Sequence, residues 1–132
     1  MIVVDASVLA NVVGDDEAAG LLARARLEVA SAVSAPDLVD VETVFVLRQR
    51  WLAGDLSDER FRSVVDDLLA LPITRVPVGP LMVRAFELRA DITAYDAYYV
   101  ALAEGLECPL ITSDGRLANA PMTTCATEVL QL

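Results

Sequence analysis

Four acidic residues stand where a folded chain rarely leaves charge: Asp5, Glu42, Asp96 and Asp114, each beside an apolar stretch. They occur in MIVVDAS, PDLVDVE, ITAYDAYYVALA and PLITSD. A carboxylate removed from water must protonate, find a cation or bind a metal, because burying it alone is strongly unfavourable. Cationic partners are scarce here, with no Lys, no His and ten Arg against 20 acidic residues. A divalent metal is the natural remaining counter-charge. Like charges held close together raise one another's pKa, and a cation relieves that repulsion. Hard oxygen ligands without His or thiolate select Mg²⁺ or Mn²⁺ over zinc. An ion of that kind activates water and stabilises charge on a phosphodiester.

Each acid also has a structural reading. Asp5 suits the N-cap of a helix beginning near Ser7, Asp96 suits a helix start, and Asp114 suits a turn before Gly115. Glu42 is harder to account for in that way, because a helix-interior Glu near an apolar face gains nothing from capping. Asp40 lies roughly 200° away on the same helix and reads as a solvated charge. The weight therefore rests on the four acids together.

What the composition excludes narrows the chemistry further. Without His there is no Ser-His-Asp triad and no His-ligated zinc. Without Lys there is no phosphate-loop lysine and no Schiff base. The formal charge of −10 argues against broad electrostatic attraction to nucleic acid. It leaves room for a nuclease whose metals and local Arg reverse the field at the site, or for a basic partner. Cys108 and Cys125 lack C-x-x-C spacing and read as buried, reduced thiols. No apolar run approaches the roughly 20 residues of a membrane span. The N-terminus lacks a basic region and carries Asp5, unlike a signal peptide. A cytoplasmic location is expected.

The elements that must position these acids follow from periodicity and punctuation. Residues 1 to 4 form a β-branched run ending at Asp5, as in a buried parallel strand. Ser7 is placed to cap a short helix through Val13, broken by Gly14. A second helix spans residues 15 to 29, with Asp15, Asp16 and Glu17 favourable at its start. Residues 30 to 35 read as a small-residue strand. Pro36 suits the first position of a long helix that sends Leu38, Val41, Phe45 and Val46 to the core. Gly54 closes it, and Ser57 starts another helix that ends before Pro72. Residues 73 to 78 read as a strand, and Pro80 opens a helix to about Ala90. Thr93 caps a helix through Glu104 or Gly105, whose Asp96, Tyr99, Val100 and Ala103 share the buried side. Residues 109 to 112 form a strand, Asp114-Gly115 a turn with a short helix after it, and residues 122 to 130 a final strand. Strands alternating with helices imply one domain with a parallel sheet. Strand carboxyl ends line the ligand crevice in such sheets, and Asp5 and Asp114 both fall there.

The segments IVVDASVLANVV, the helix with Glu42, LRADITAYDAYYVALAEGL and CPLITSDGRLANAP together resemble PIN-domain ribonucleases, and most closely the VapC-type toxins of bacterial toxin–antitoxin pairs. The resemblance runs in order along nearly the whole chain. It implies a three-layer α/β/α PIN-like domain with a mostly parallel sheet over residues 1–132. It also implies a metal-dependent endoribonuclease that leaves 5′-phosphate and 3′-hydroxyl ends. By motif, Asp5 matches the first-strand aspartate, Glu42 the helical glutamate, Asp96 the YDA aspartate and Asp114 the T-x-D aspartate, jointly holding one or two Mg²⁺ or Mn²⁺. Ser7 and Thr112 match hydroxyls that orient ligands or water. The implied partners are RNA, a cognate antitoxin laid along an apolar groove and a second copy in a homodimer, with no membrane. One departure is Asp91, where the family often has a polar or basic residue. It is either an extra acidic neighbour or, in the favoured reading, a helix-end charge.

Tyr95, Tyr98 and Tyr99 either stack on a base or pack in the core or at a dimer contact. Arg48, Arg50 and Arg116 are either phosphate contacts or solvated surface, and Arg116 has the best case, two residues from Asp114. The Ala, Val and Leu of the first three helices serve either as core or as an exposed interaction groove. A phosphatase using Asp5 as nucleophile, or a phosphoacceptor domain, lacks the lysine that its charge stabilisation needs. The alternative that survives is a catalytically degenerate PIN fold acting as a binding module.

Overall fold

The centre of the fold is the β1 strand, Ile2–Val4, whose three residues are all buried. The computed structural model describes residues 1–119 and 124–132. Three consecutive β-branched or apolar side chains suit a strand covered on both faces. Parallel neighbours flank β1: β2 (Val33–Pro36) on one side and β4 (Leu110–Thr112) on the other. The outer strands are β3 (Thr74–Val76) beside β2 and β5 (Thr127–Val129) beside β4, in the order β3-β2-β1-β4-β5. Every pairing among the described residues is parallel, in keeping with the expected parallel sheet.

The helices α1 (Ala6–Gly14), α2 (Ala18–Glu28), α3 (Val39–Leu52) and α4 (Asp58–Ala70) pack on one another as one group. Helix α6 (Ala94–Leu106) packs on β1, β2 and β4 and carries α5 (Met82–Glu87). With the sheet between them, these make a three-layer α/β/α fold. No helix of the described residues is long and apolar enough to cross a membrane.

The strand order reverses between β1 and β4. Chain leaving β1 returns through β2 and then β3, whereas β4 continues outward to β5. Connections therefore diverge at the carboxyl ends of β1 and β4, which opens a crevice there. Asp5 directly follows β1, and Asp114 lies two residues past β4.

Several boundaries differ from expectation. Asp5, not Ser7, caps α1, its side chain accepting from the Val8 amide. Helix α2 begins at Ala18, because the Asp15 side chain accepts from the Glu17 and Gly20 amides and holds the preceding turn. Pro36 ends β2 and α3 starts at Val39; proline's fixed φ serves a strand end as well as a helix start. The segment after Pro80 is a 3₁₀ turn, Gly79–Leu81, followed by the short α5. The expected final strand, residues 122 to 130, starts outside the described residues; within them the strand is the shorter β5, Thr127–Val129. Cys108 and Cys125 are free and half-buried.

The largest revision concerns α3. Val41 and Phe45, expected in the core, are 74% and 57% exposed. The buried stripe is Val39, Thr43 and Leu47. Asp40, expected to be solvated, pairs with Arg75 of β3 at 2.7 Å. Helix α1 is core rather than groove: Val8, Leu9 and Ala10 are fully buried.

Candidate functional site

Asp5 is 7% exposed, and three groups hold its carboxylate in place. Oδ1 accepts from Ser7 Oγ at 2.6 Å and from the Val8 amide at 3.2 Å. Oδ2 accepts from Thr112 Oγ1. Both hydroxyls also accept from amides just beyond β4, Ser7 from Ser113 at 2.9 Å and Thr112 from Asp114 at 3.0 Å. The Asp5 amide itself donates to the Ile111 carbonyl at 3.3 Å. An amide can only donate, so each hydroxyl is left with its proton for Asp5. Two parallel strands are thereby tied together around one acid.

Glu42 lies in the first turn of α3, beside the buried Val39, Thr43 and Leu47. The phenol of Tyr99, on α6, donates to its Oε1 at 2.7 Å. Asp96 occupies the first turn of α6, and its amide donates to the capping Thr93 hydroxyl at 3.3 Å. Negative charge is favourable at both helix starts. Asp114 is clasped by Arg116: Nη2 reaches Oδ2 at 2.5 Å, and the Arg116 amide and Nε reach Oδ1 at 3.0 Å each.

The electrostatics connect these acids. Burial pushes the carboxyl of Asp5 above its ordinary range against its three hydrogen-bond donors, and Asp96 adds to the push. Burial likewise raises Glu42; Tyr99 opposes this, and the charges of Asp96 and Asp5 reinforce it. Asp96 is raised by burial and by Asp114, with Arg116 opposing. Asp114 alone is lowered, by its bonds to Arg116. The Tyr99 phenol is raised by burial and by Glu42, so it remains a donor. Acids from the end of β1, α3, α6 and the turn after β4 thus act on one another.

The donor set fits a hard divalent cation, with only carboxylate oxygens and three of the four acids raised in proton affinity. The side chains as placed do not close around an ion. Among the described residues no three acidic, His or Cys side chains are arranged to hold one. Ser7 and Thr112 engage Asp5, Tyr99 engages Glu42, and Arg116 engages Asp114. Arg116 is almost fully exposed and Asp114 one-third exposed, so this pair is the one open to solvent.

A cleft of about 390 Å³ opens beside Asp96, lined also by Arg89, Asp91, Ile92, Thr93 and Arg116. Asp91, read as a helix-end charge, lies in this cleft and not apart from it. Of the other arginines considered, Arg50 is structural, donating to the Ala10 carbonyl and to Asn11 Oδ1. Arg48 is exposed. Tyr95 is exposed, whereas Tyr99 is buried and orients Glu42. Tyr99 had a sequence signal, since it follows Asp96 by one helical turn on the same face. Arg89 had none.

Comparisons with known proteins identify the family and the fold. The PIN domain family model matches residues 2–121. Ribonuclease VapC12 of Mycobacterium tuberculosis is 43% identical over 120 residues, covering 91% of this chain and 92% of its own. Ribonuclease VapC1 of the same organism is 36% identical over 130 residues, covering 98% and 97%. A crystal structure of VapBC2 from Rickettsia felis, bound to a DNA fragment from its promoter, superposes with a TM-score of 0.71 at 13% identity. That match covers 99% of this chain and 100% of the other, a likeness of fold.

Proposed function

The chain belongs to the PIN domain family, and from that membership we propose that Asp5, Glu42, Asp96 and Asp114 form a Mg²⁺ or Mn²⁺ centre that hydrolyses RNA. The protein is an endoribonuclease of the VapC toxin type. The observation that best supports the metal centre is the shared field of the four acids, drawn from four separate elements to the crevice beside β1 and β4.

When bound by these carboxylates, the ion would lower the pKa of a water and offset negative charge on the phosphoryl oxygens. The chain's own residues supply the rest. Ser7 and Thr112 fix both oxygens of Asp5, and Tyr99 aims Glu42. Held by the Tyr99 hydroxyl at the edge of the crevice, Glu42 is the carboxylate that would take the proton of the attacking water. The water oxygen bonds to phosphorus as the bond from phosphorus to the 3′ oxygen breaks. That oxygen gains a proton from solvent, leaving 3′-hydroxyl and 5′-phosphate ends. Arg116 turns to the substrate phosphate once Asp114 releases it.

The same reading takes residues 1–132 as one domain and gives the toxin a cognate antitoxin. The apolar side chains exposed on α3, Val41, Phe45 and Leu52, suit an amphipathic partner, as does the groove at Trp51, Phe61 and Val65. A homodimer has an apolar face at Met82 and Val83 of α5. The test is incubation of the purified chain with single-stranded RNA in Mg²⁺, Mn²⁺ or EDTA. The expected result is cleavage to 5′-phosphate products only with metal, and a melting temperature raised by Mn²⁺. Neither effect at millimolar metal would leave the binding-module reading instead.

A further inference from the structure

An acidic nuclease must still receive a polyanion, and few cations are free to help. Arg26, Arg60, Arg75, Arg84 and Arg116 are paired with carboxylates. Arg24 and Arg50 donate to backbone carbonyls. Among the described residues, Arg48, Arg62 and Arg89 have no carboxylate partner, and of these three only Arg89 lines the cleft that contains Asp96.

Arg89 is also held in place. Its guanidinium lies 4.0 Å from the centroid of the Phe86 ring, and Nη1 donates to the Phe86 carbonyl at 3.0 Å. The stack covers one face and the bond uses one of five N–H groups, leaving donors for a second acceptor. A planar fork with fixed orientation matches two phosphate oxygens and loses little freedom on binding. Asp91 and Asp96 share the cleft and oppose an anion, while Arg116 adds a second cation. We propose that Arg89 is a substrate-binding residue that grips a backbone phosphate of the RNA strand adjacent to the one cleaved. This inference rests on the ribonuclease reading above and assigns the strand's path across the Asp96 cleft.

The probe is a labelled, mixed-sequence single-stranded RNA oligonucleotide, bound to the 132-residue chain carrying Asp5→Asn in Mg²⁺ over a salt series. Adding Arg89→Gln is expected to weaken binding and flatten the plot of log affinity against log salt by about 0.7, the value for one phosphate contact to a single strand. Arg89→Lys is expected to keep that slope, because it keeps the charge. In the active chain, Arg89→Gln is expected to raise KM by more than it lowers kcat. An unchanged slope and KM in a folded Arg89→Gln protein overturns the assignment while leaving the nuclease intact. A parent chain that neither binds nor cleaves RNA overturns both.

Discussion

The Tyr99 hydroxyl donates to Oε1 of Glu42 at 2.7 Å, joining α6 to α3 across the crevice. Tyr99 is 1% exposed and Glu42 is partly buried, so this bond sets where the glutamate points. Phe at position 99 keeps the ring and removes the donor that holds the Glu42 carboxyl down. Tyr99→Phe is expected to destabilise the fold by about 1 kcal/mol and to weaken Mn²⁺ binding. Chemical denaturation and the Mn²⁺ dependence of the melting temperature check the two effects separately. Equal Mn²⁺ responses in the two proteins would remove Tyr99 from the site.

Thr112 is fully buried and serves two partners, donating to Asp5 and accepting from the Asp114 amide. Thr112→Val keeps the shape and leaves both partners unsatisfied, an expected loss on the order of 1–3 kcal/mol. Thr112→Ser restores the hydroxyl and most of the stability. Urea unfolding of both variants distinguishes the hydroxyl from the methyl group.

Arg116 competes with any ion for Asp114. Arg116→Gln removes the competitor, and Mn²⁺ is expected to raise its melting temperature at lower concentration than in the parent chain. RNA affinity should fall in the same variant, because a phosphate contact is lost. Weaker Mn²⁺ binding instead would mean that the arginine orders Asp114 for the ion.

Stability without metal should depend on pH in a definite direction. Asp5, Glu42 and Asp96 are raised above their ordinary values in the fold, so the native chain holds their protons more tightly than the unfolded chain. Their contribution is fully present below the ordinary carboxylate range and is lost as pH rises through the raised values. Asp114 and Glu104 are lowered and act oppositely, losing their contribution as pH falls. Asp114 is exposed enough that solvent screens most of its share. In EDTA, melting temperature is expected to decline as pH rises through the range where the three raised acids ionise, and Mn²⁺ should restore most of the loss. The same decline with Mn²⁺ present would place those charges away from the ion.

Much of this arrangement was readable before any coordinates. Asp5 and Asp114 follow short apolar runs, and a parallel α/β chain brings such strand ends together. Periodicity places Glu42 beside a core stripe through Val41 and Phe45, and that stripe is solvent-exposed. The helix carries apolar residues on two faces, and the buried one includes Thr43, which a hydrophobic count passes over. Glu42 borders that stripe as well, so its position survived a mistaken premise. The Asp40–Arg75 pair and the stacked Arg89 depend on how separate elements pack, and spacing along one element carries no trace of either.

Four acids from separate elements working as one metal centre make RNA hydrolysis depend on each of them. The most direct measurement is cleavage of single-stranded RNA by Asp96→Asn at saturating Mn²⁺, with the melting temperature in EDTA recorded alongside. Cleavage is expected to be abolished while the variant stays folded, with a melting temperature in EDTA no lower than the parent's, since the Asp96 charge raises Asp5 and Glu42. Cleavage at the parent rate by the folded variant would rule out the shared metal centre.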